Sequence, residues 1–137
     1  MIPPQALLDT DILSALMRKH PVATLRAQVY LAVHHRFTFS IITRYEVLRG
    51  LKAKGAIVQL TAFDRLCAAS HIVPLTDEIV VREAEIYADL YQRGALISDA
   101  DILIAASALV NRLTVVTNNE DHFSRIAGLR VENWLRE

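Results

Sequence analysis

The sequence predicts an α/β protein, a three-layer α/β/α sandwich around a mostly parallel central sheet, in a single domain over residues 1–137. Short apolar or β-branched runs alternate along the chain with longer stretches whose apolar residues repeat at helical spacing. Strands that alternate with helices pair in parallel, with helices covering both faces. No Ser/Gly/Pro-rich linker, internal repeat or low-complexity tract divides the chain. Its 137 residues are 53% hydrophobic, enough for one core without disulfides or structural metal.

Each element follows from local signals. Ala6-Leu7-Leu8, ending in Asp9, suits a buried strand. Asp11 to Lys19 reads as a helix with Ile12, Ala15 and Leu16 on one face, Thr10 or Asp11 at its start and Pro21 beyond its end. Val22 to His35 makes a second helix, Arg36-Phe37-Thr38-Phe39-Ser40 alternates like a strand, and Ile42 to Lys54 is helical up to Gly55. Ala56 to Ala69 is a further helix before the strand His71-Ile72-Val73-Pro74-Leu75. Thr76 opens a long helix running to about Gln92 and stopping at Gly94. Ser98 or Asp99 begins an apolar helix through Asn111, and Leu113 to Thr117 is a β-branched strand. Asp121 to Ile126 is a short helix closed by Gly128, and a last strand lies around Leu129-Arg130-Val131, before Trp134.

Composition narrows the function classes. Fifteen basic and fifteen acidic residues give a formal net charge of +0, so polyanion binding has to come from local patches. Cys67 is the only cysteine, which excludes an internal disulfide and a cysteine-based zinc site and favours a reducing compartment. Met1-Ile2-Pro3-Pro4 lacks the basic start and apolar core of a signal peptide. The longest clean apolar run, Ile102 to Val110 around Ser107, is far short of the roughly 20 residues that cross a bilayer. The expectation is a soluble, cytoplasmic protein without membrane association. The hydrophobic content and a mean hydropathy of +0.26 point to apolar surface committed to a partner or a second copy. With four glycines and neither a G-x-x-x-x-G-K-[ST] nor a G-x-G-x-x-G motif, nucleotide binding has no support.

Acids placed where strands end or helices begin are the chemical signal. They lie in Leu7-Leu8-Asp9-Thr10-Asp11, Thr43-Arg44-Tyr45-Glu46, Ser98-Asp99-Ala100-Asp101 and Thr117-Asn118-Asn119-Glu120-Asp121. Each has a plain structural use: Asp9 and Asp11 as strand-end and helix-start acids, Thr43-x-x-Glu46 and Ser98-x-x-Asp101 as capping boxes. In open α/β sheets, however, functional groups collect beyond the carboxyl ends of the strands, where Asp9 and Asn118/Asn119 would lie. Gathered carboxylates repel one another unless a cation neutralises them. The five histidines show no ligand spacing, so an all-oxygen set favours Mg²⁺ or Mn²⁺ over zinc. Arg44, Arg49, Lys52 and Lys54, with Arg18-Lys19, could flank such a pocket with phosphate contacts or form solvated helix faces.

In order, the four acidic segments resemble those of PIN-domain ribonucleases, specifically the VapC-type toxins of bacterial toxin–antitoxin pairs. Asp9-Thr10-Asp11-Ile12-Leu13 looks like the first motif, and Ser40 to Gly50, containing Glu46, like the second. Asp101-Ile102-Leu103-Ile104-Ala105-Ala106 looks like the third, Leu113 to Asn119 with Phe123 like the fourth, and Gly128 to Trp134 like the tail of many members. The resemblance covers nearly the whole chain. It implies a PIN-like fold, with Asp9, Glu46 and Asp101 as catalytic acids that bind Mg²⁺ (Mn²⁺ as an alternative) and Asp99 as an additional ligand. Many members carry Asp in the fourth motif where this chain has Asn118-Asn119, which leaves Asn118, Asn119 or Asp121 for that position; Asn119 is assigned to the metal. The implied activity is hydrolysis of RNA phosphodiester bonds, leaving a 5′-phosphate and a 3′-hydroxyl. The implied partners are an RNA substrate, a second copy in a homodimer, and a VapB-like antitoxin laid along a groove at the active site. Alternatives from other classes are a metal-dependent DNA nuclease or phosphatase on the same fold, and a non-catalytic binding module whose acids are caps.

Overall fold

The computed structural model describes residues 2–137. Its elements are β1 (Ala6–Leu8), α1 (Thr10–Met17), α2 (Pro21–His34), β2 (Thr38–Ser40), α3 (Ile41–Ala53), α4 (Ile57–Ala68), β3 (His71–Val73), α5 (Asp77–Gln92), α6 (Asp99–Val110), β4 (Thr114–Val116), α7 (Glu120–Ser124) and β5 (Val131–Glu132). Strand β4 pairs with β1 on one side and β5 on the other, β2 pairs with β3, and all three pairings are parallel. Because β1 also lies beside β2, the two ladders adjoin in the spatial order β3-β2-β1-β4-β5.

Alternation along each strand sends neighbouring side chains into different cores. Ala6 and Leu8 of β1 and Val116 of β4 join Ile12, Leu13, Phe39, Phe63 and Trp134 beneath α1 to α4. Leu7 and Val115 face the opposite way, into Ile79, Leu90, Ile102, Ile104 and Phe123 beneath α5, α6 and α7. Two cores on two faces are the three expected layers. The strands carry few ladder hydrogen bonds at three residues or fewer, so packing on both faces holds the sheet together. Among the described residues no helix is long and apolar enough to cross a membrane.

Most boundaries differ from the sequence reading by one or two residues, and three of the differences have a capping or pairing reason. Asp9 itself caps α1, its Oδ1 accepting from the Thr10 N–H at 2.8 Å, so the helix starts at Thr10. Ser40 caps α3 through the Ile42 N–H at 3.1 Å, so Thr43 lies inside the first turn and Thr43-x-x-Glu46 is not a capping box. The last strand is Val131–Glu132 because its ladder with β4 aligns Val115 with Val131 and Val116 with Glu132, leaving Leu129 and Arg130 in the approach.

The end of α6 carries a backbone cost. The N–H of Leu113 bonds to the Ala108 carbonyl at 2.8 Å and that of Arg112 to Leu109 at 3.2 Å, the Schellman pattern, with Arg112 in the left-handed region at φ 56°. A side-chain-bearing residue there costs about 1–2 kcal/mol, against about 0.5–1 kcal/mol for the greater unfolded freedom of glycine. Arg112→Gly is therefore expected to stabilise the fold by roughly 0.5 kcal/mol and raise the melting temperature by about 2 °C. A lower melting temperature would show that the arginine side chain supplies packing that offsets its backbone strain.

Candidate active site

The carboxyl ends of β1 and β4 build the centre of the site. Beyond Leu8 the chain turns into α1 at Asp9, and beyond Val116 it continues through Thr117, both buried. The Thr117 hydroxyl donates to Asp9 Oδ2 at 2.8 Å and accepts the Asn119 N–H at 2.9 Å, locking the two strand ends to each other. Burial pushes the Asp9 carboxyl up from 3.8 to about 7, helped by the negative charges of Asp11 and Asp101, while its bonds to Thr117 and Thr10 pull it down. Asp11, in the first turn of α1, is raised in the same direction, first by burial and also by Asp101. Its Oδ2 accepts the Asn118 N–H at 3.0 Å, and its buried Oδ1 has no hydrogen-bond partner.

Glu46 reaches the site from α3. Its Oε1 accepts the Thr10 hydroxyl at 2.6 Å, and Thr43 Oγ1 stands 3.3 Å from the same hydroxyl. A hydroxyl has one proton, so Thr10 donates to Glu46 and receives from Thr43. Arg49 sits 3.9 Å from the other Glu46 oxygen and lies over the Tyr45 ring at 5.1 Å. Because Ser40 caps α3, Glu46 is free to make this contact.

Asp101 comes from the first turn of α6. The Ser98 hydroxyl accepts the Asp101 N–H at 3.2 Å, but the carboxylate turns to α7, with Oδ2 at 3.1 Å from His122 Nδ1 and 3.5 Å from Asn119 Nδ2. Asn119 Nδ2 is also 2.7 Å from His122 Nδ1. One ring nitrogen cannot accept from the amide and donate to the carboxylate at once. With its proton on Nδ1 the imidazole bonds Asp101, and the Asn119 amide turns its oxygen to the ring.

The sequence-predicted residues thus separate. Asp9 and Asp101 join electrostatically with Asp11, and Glu46 is tied to them through Thr10. Asp99 is exposed at the start of α6, and the charge it perturbs is Glu83 on α5, so it is not brought to this group. Among the three residues left open for the fourth motif, Asn119 faces Asp101. Asn118 Oδ1 instead accepts from Asn133 at 3.1 Å, and Asp121 pairs with Arg125 at 2.9 Å. Two residues were missed. Asp11 was read as a helix-start acid, although its spacing of two from the strand-end Asp9 was the available signal. His122 lies 21 residues from Asp101 and had no sequence signal; the turn into α7 alone brings it there.

Among the described residues no three His, Cys, Asp or Glu side chains stand together as a ready metal cage. The donor chemistry nevertheless fits a hard cation. The donors are all oxygens, Asp9 is held near neutrality by burial and like charge, and Asp11 Oδ1 is buried without a partner. A cation would relieve the last two.

A PIN-domain family model matches residues 6–129, nearly the full length of this chain. The chain belongs to the PIN-domain family. Among relatives, the ribonuclease VapC2 of Rickettsia felis is 30% identical over 129 residues, covering 93% of this chain and 96% of its own. The ribonuclease VapC1 of Methanocaldococcus jannaschii is 32% identical over 127 residues, covering 91% and 85%. In three dimensions this PIN domain superposes on a chain of the crystal structure of VapBC2 from Rickettsia felis bound to a promoter DNA fragment, with a TM-score of 0.84 and 28% identity over 94% of this chain and 98% of that one.

The PIN domain's fourth motif gives a direct test of Asn119. Asn119→Asp sets a second carboxylate within reach of Asp101, so Mg²⁺ should bind several-fold more tightly, read by calorimetric titration. Unchanged affinity, with the loss falling instead on Asp121→Asn, would move that role to Asp121.

Proposed function

We propose that this chain is a metal-dependent endoribonuclease of the VapC kind, acting on cytoplasmic RNA and held inactive by a VapB-like antitoxin. The observation that carries the reading is Asp9: a buried carboxyl at the end of β1, pushed to about 7, facing two further acids from α1 and α6. Burying one acid among others is unfavourable for a purely structural cap, for which an amide or hydroxyl serves as well. Asp9, Asp101 and Glu46 would hold Mg²⁺ or Mn²⁺, with Asp11 and Asn119 beside them. Bound there, the metal lowers the pKa of water and stabilises charge on the phosphoryl oxygens.

The chain's own residues set the geometry. Thr117 fixes one oxygen of Asp9, Thr10 fixes one of Glu46, and His122 fixes one of Asp101. The other Asp9 oxygen caps α1 through the Thr10 N–H and the other Glu46 oxygen stands 3.9 Å from Arg49, so a cation would use the lone pairs these contacts leave. Asn133 supports the loop beneath them by donating to Asn118 Oδ1 and to Glu120 Oε2 at 3.0 Å.

Beside Glu46 opens a cavity of about 490 Å³ with Met17, Val47 and Leu51 on its apolar floor and Arg18 and Lys54 at its rim. An antitoxin segment with apolar anchors and carboxylates fits these walls, and seating it there covers the approach to Glu46. Exposed apolar residues on α2 and at the start of α4 (Leu25, Val29, Ile57, Val58) suit a homodimer face.

The test is direct. The purified chain, incubated with RNA and Mg²⁺ or Mn²⁺, should yield 5′-phosphate ends, stop on chelation, and stop again when a cognate antitoxin is added. RNA left intact with either metal, or cut equally well in chelator, would sink the reading.

A further inference from the structure

At the end of the sheet opposite the acids, two clefts of about 340 and 220 Å³ adjoin, with Gln5 and Leu113 lining both. Arg112 and Arg130 line the first; Arg36, His34 and His71 line the second; no Asp or Glu lines either. A chain with fifteen charges of each sign has sorted one sign into this trough. The three arginines are exposed and, among the described residues, none has an ion-pair partner. Arg26, Arg49, Arg82, Arg93, Arg125 and Arg136, by contrast, each have a carboxylate within 4 Å. Element ends fix where these side chains depart: Arg112 closes α6, Arg130 leads into β5 with its carbonyl bonded to the Val115 N–H at 2.9 Å, and Arg36 stands between α2 and β2.

We propose that this trough is a second RNA-binding surface that grips the phosphate backbone of the substrate away from the bond that is cut. This rests on the ribonuclease reading above. Cations spread over two adjoining open clefts match a backbone whose charges come in a row, better than a single small anion. The trough begins at Gln5 and the acids at Asp9, so roughly 13 Å of strand separates them at about 3.3 Å per residue. A substrate of two or three nucleotides cannot occupy both, whereas a stem-loop RNA can wrap from one to the other.

The test compares the wild type with R36Q/R112G/R130Q and with a control, R65Q/R82Q, that removes charge elsewhere. Binding of a stem-loop RNA is measured in chelator across a salt series. The triple variant should bind about tenfold more weakly with a salt slope smaller by about 2, as three lost phosphate contacts require, while the control stays near wild type. Cleavage of a trinucleotide should be unchanged in all three proteins, and KM for the stem-loop should rise only in the triple variant. If the triple variant melts early, R36Q/R130Q replaces it, with binding still weakened several-fold and a salt slope smaller by about 1.5, as two lost contacts require. Wild-type affinity and slope in the trough variant, or an equal loss in the control, overturns the proposal and leaves the ribonuclease reading standing. Failure of the wild type to cut either RNA overturns the ribonuclease reading, while chelator binding still decides whether the trough holds RNA.

Discussion

Replacing Asp9 with Asn should abolish cleavage and leave the metal-free protein more stable than the wild type at neutral pH. The activity loss follows from removing the most buried acid of the proposed metal set; a deficit of about 4 kcal/mol in transition-state stabilisation is roughly a 10³-fold lower rate. The stability gain follows from the direction of the pKa shift. Asp9 is raised from 3.8 to about 7, so between those values the folded state holds more protons than the unfolded state. Its stabilising contribution is complete below about pH 4 and is lost as pH rises through 7. A shift of this size corresponds to about 4 kcal/mol of pH-dependent stability. Asn carries no charge and still caps α1, but it offers a donor where Asp9 Oδ2 accepts from Thr117, which costs about 1 kcal/mol. A net gain of about 3 kcal/mol at pH 8 is expected, with the fall in melting temperature between pH 4 and pH 8 largely gone. Mg²⁺ should stabilise the wild type more at pH 8 than at pH 5, because protons and metal compete for the same oxygens. An Asn variant that cuts RNA at the wild-type rate would remove Asp9 from the catalytic set.

The second large effect is expected at Asp101. Asp101→Asn should lower the rate at least 100-fold, because it removes the negative charge and leaves a single oxygen to serve both the proposed metal and the His122 proton. His122 acts through Asp101 as a positioning residue, so His122→Ala should cost about 10- to 100-fold, expressed mainly as weaker metal binding. Excess Mn²⁺ should restore the His122 variant and not the Asp101 variant. Rescue of both by metal would reduce Asp101 to a supporting role; rescue of neither would place His122 closer to the reaction than its geometry indicates.

Much of this architecture was legible because the determining signals are local. The strand Ala6–Leu8, the β-branched strand Thr114–Val116 and the helices closed by Gly55 and Gly94 need only nearest neighbours to be recognised. Asp9, Glu46 and Asp101 were singled out by the same means, as acids near element starts and ends. What escaped depends on long-range juxtaposition. His122 meets Asp101 only after β4 has paired with β1 and carried α7 over the start of α6. The role of Asp11 appears only once Asn118, 107 residues away, covers one of its oxygens and leaves the other without a donor. Asp99 was over-read for the converse reason: two residues from Asp101 on a helix is a turn of about 200°, which takes its carboxylate toward α5.

Trp134 has an optical consequence. It is the only tryptophan in the chain, 2% exposed, with its ring 5.4 Å from Tyr30 and 6.4 Å from Phe37. Light absorbed by Tyr30 is therefore handed to a single acceptor, and the part of Trp134 emission gained at tyrosine wavelengths over excitation of tryptophan alone reports the closure of residues 133–137 onto α2. The acids at the strand ends are served by neither ring. One fluorescence channel can thus follow the assembly of the helical layer while metal or RNA is titrated, with no label attached to the protein.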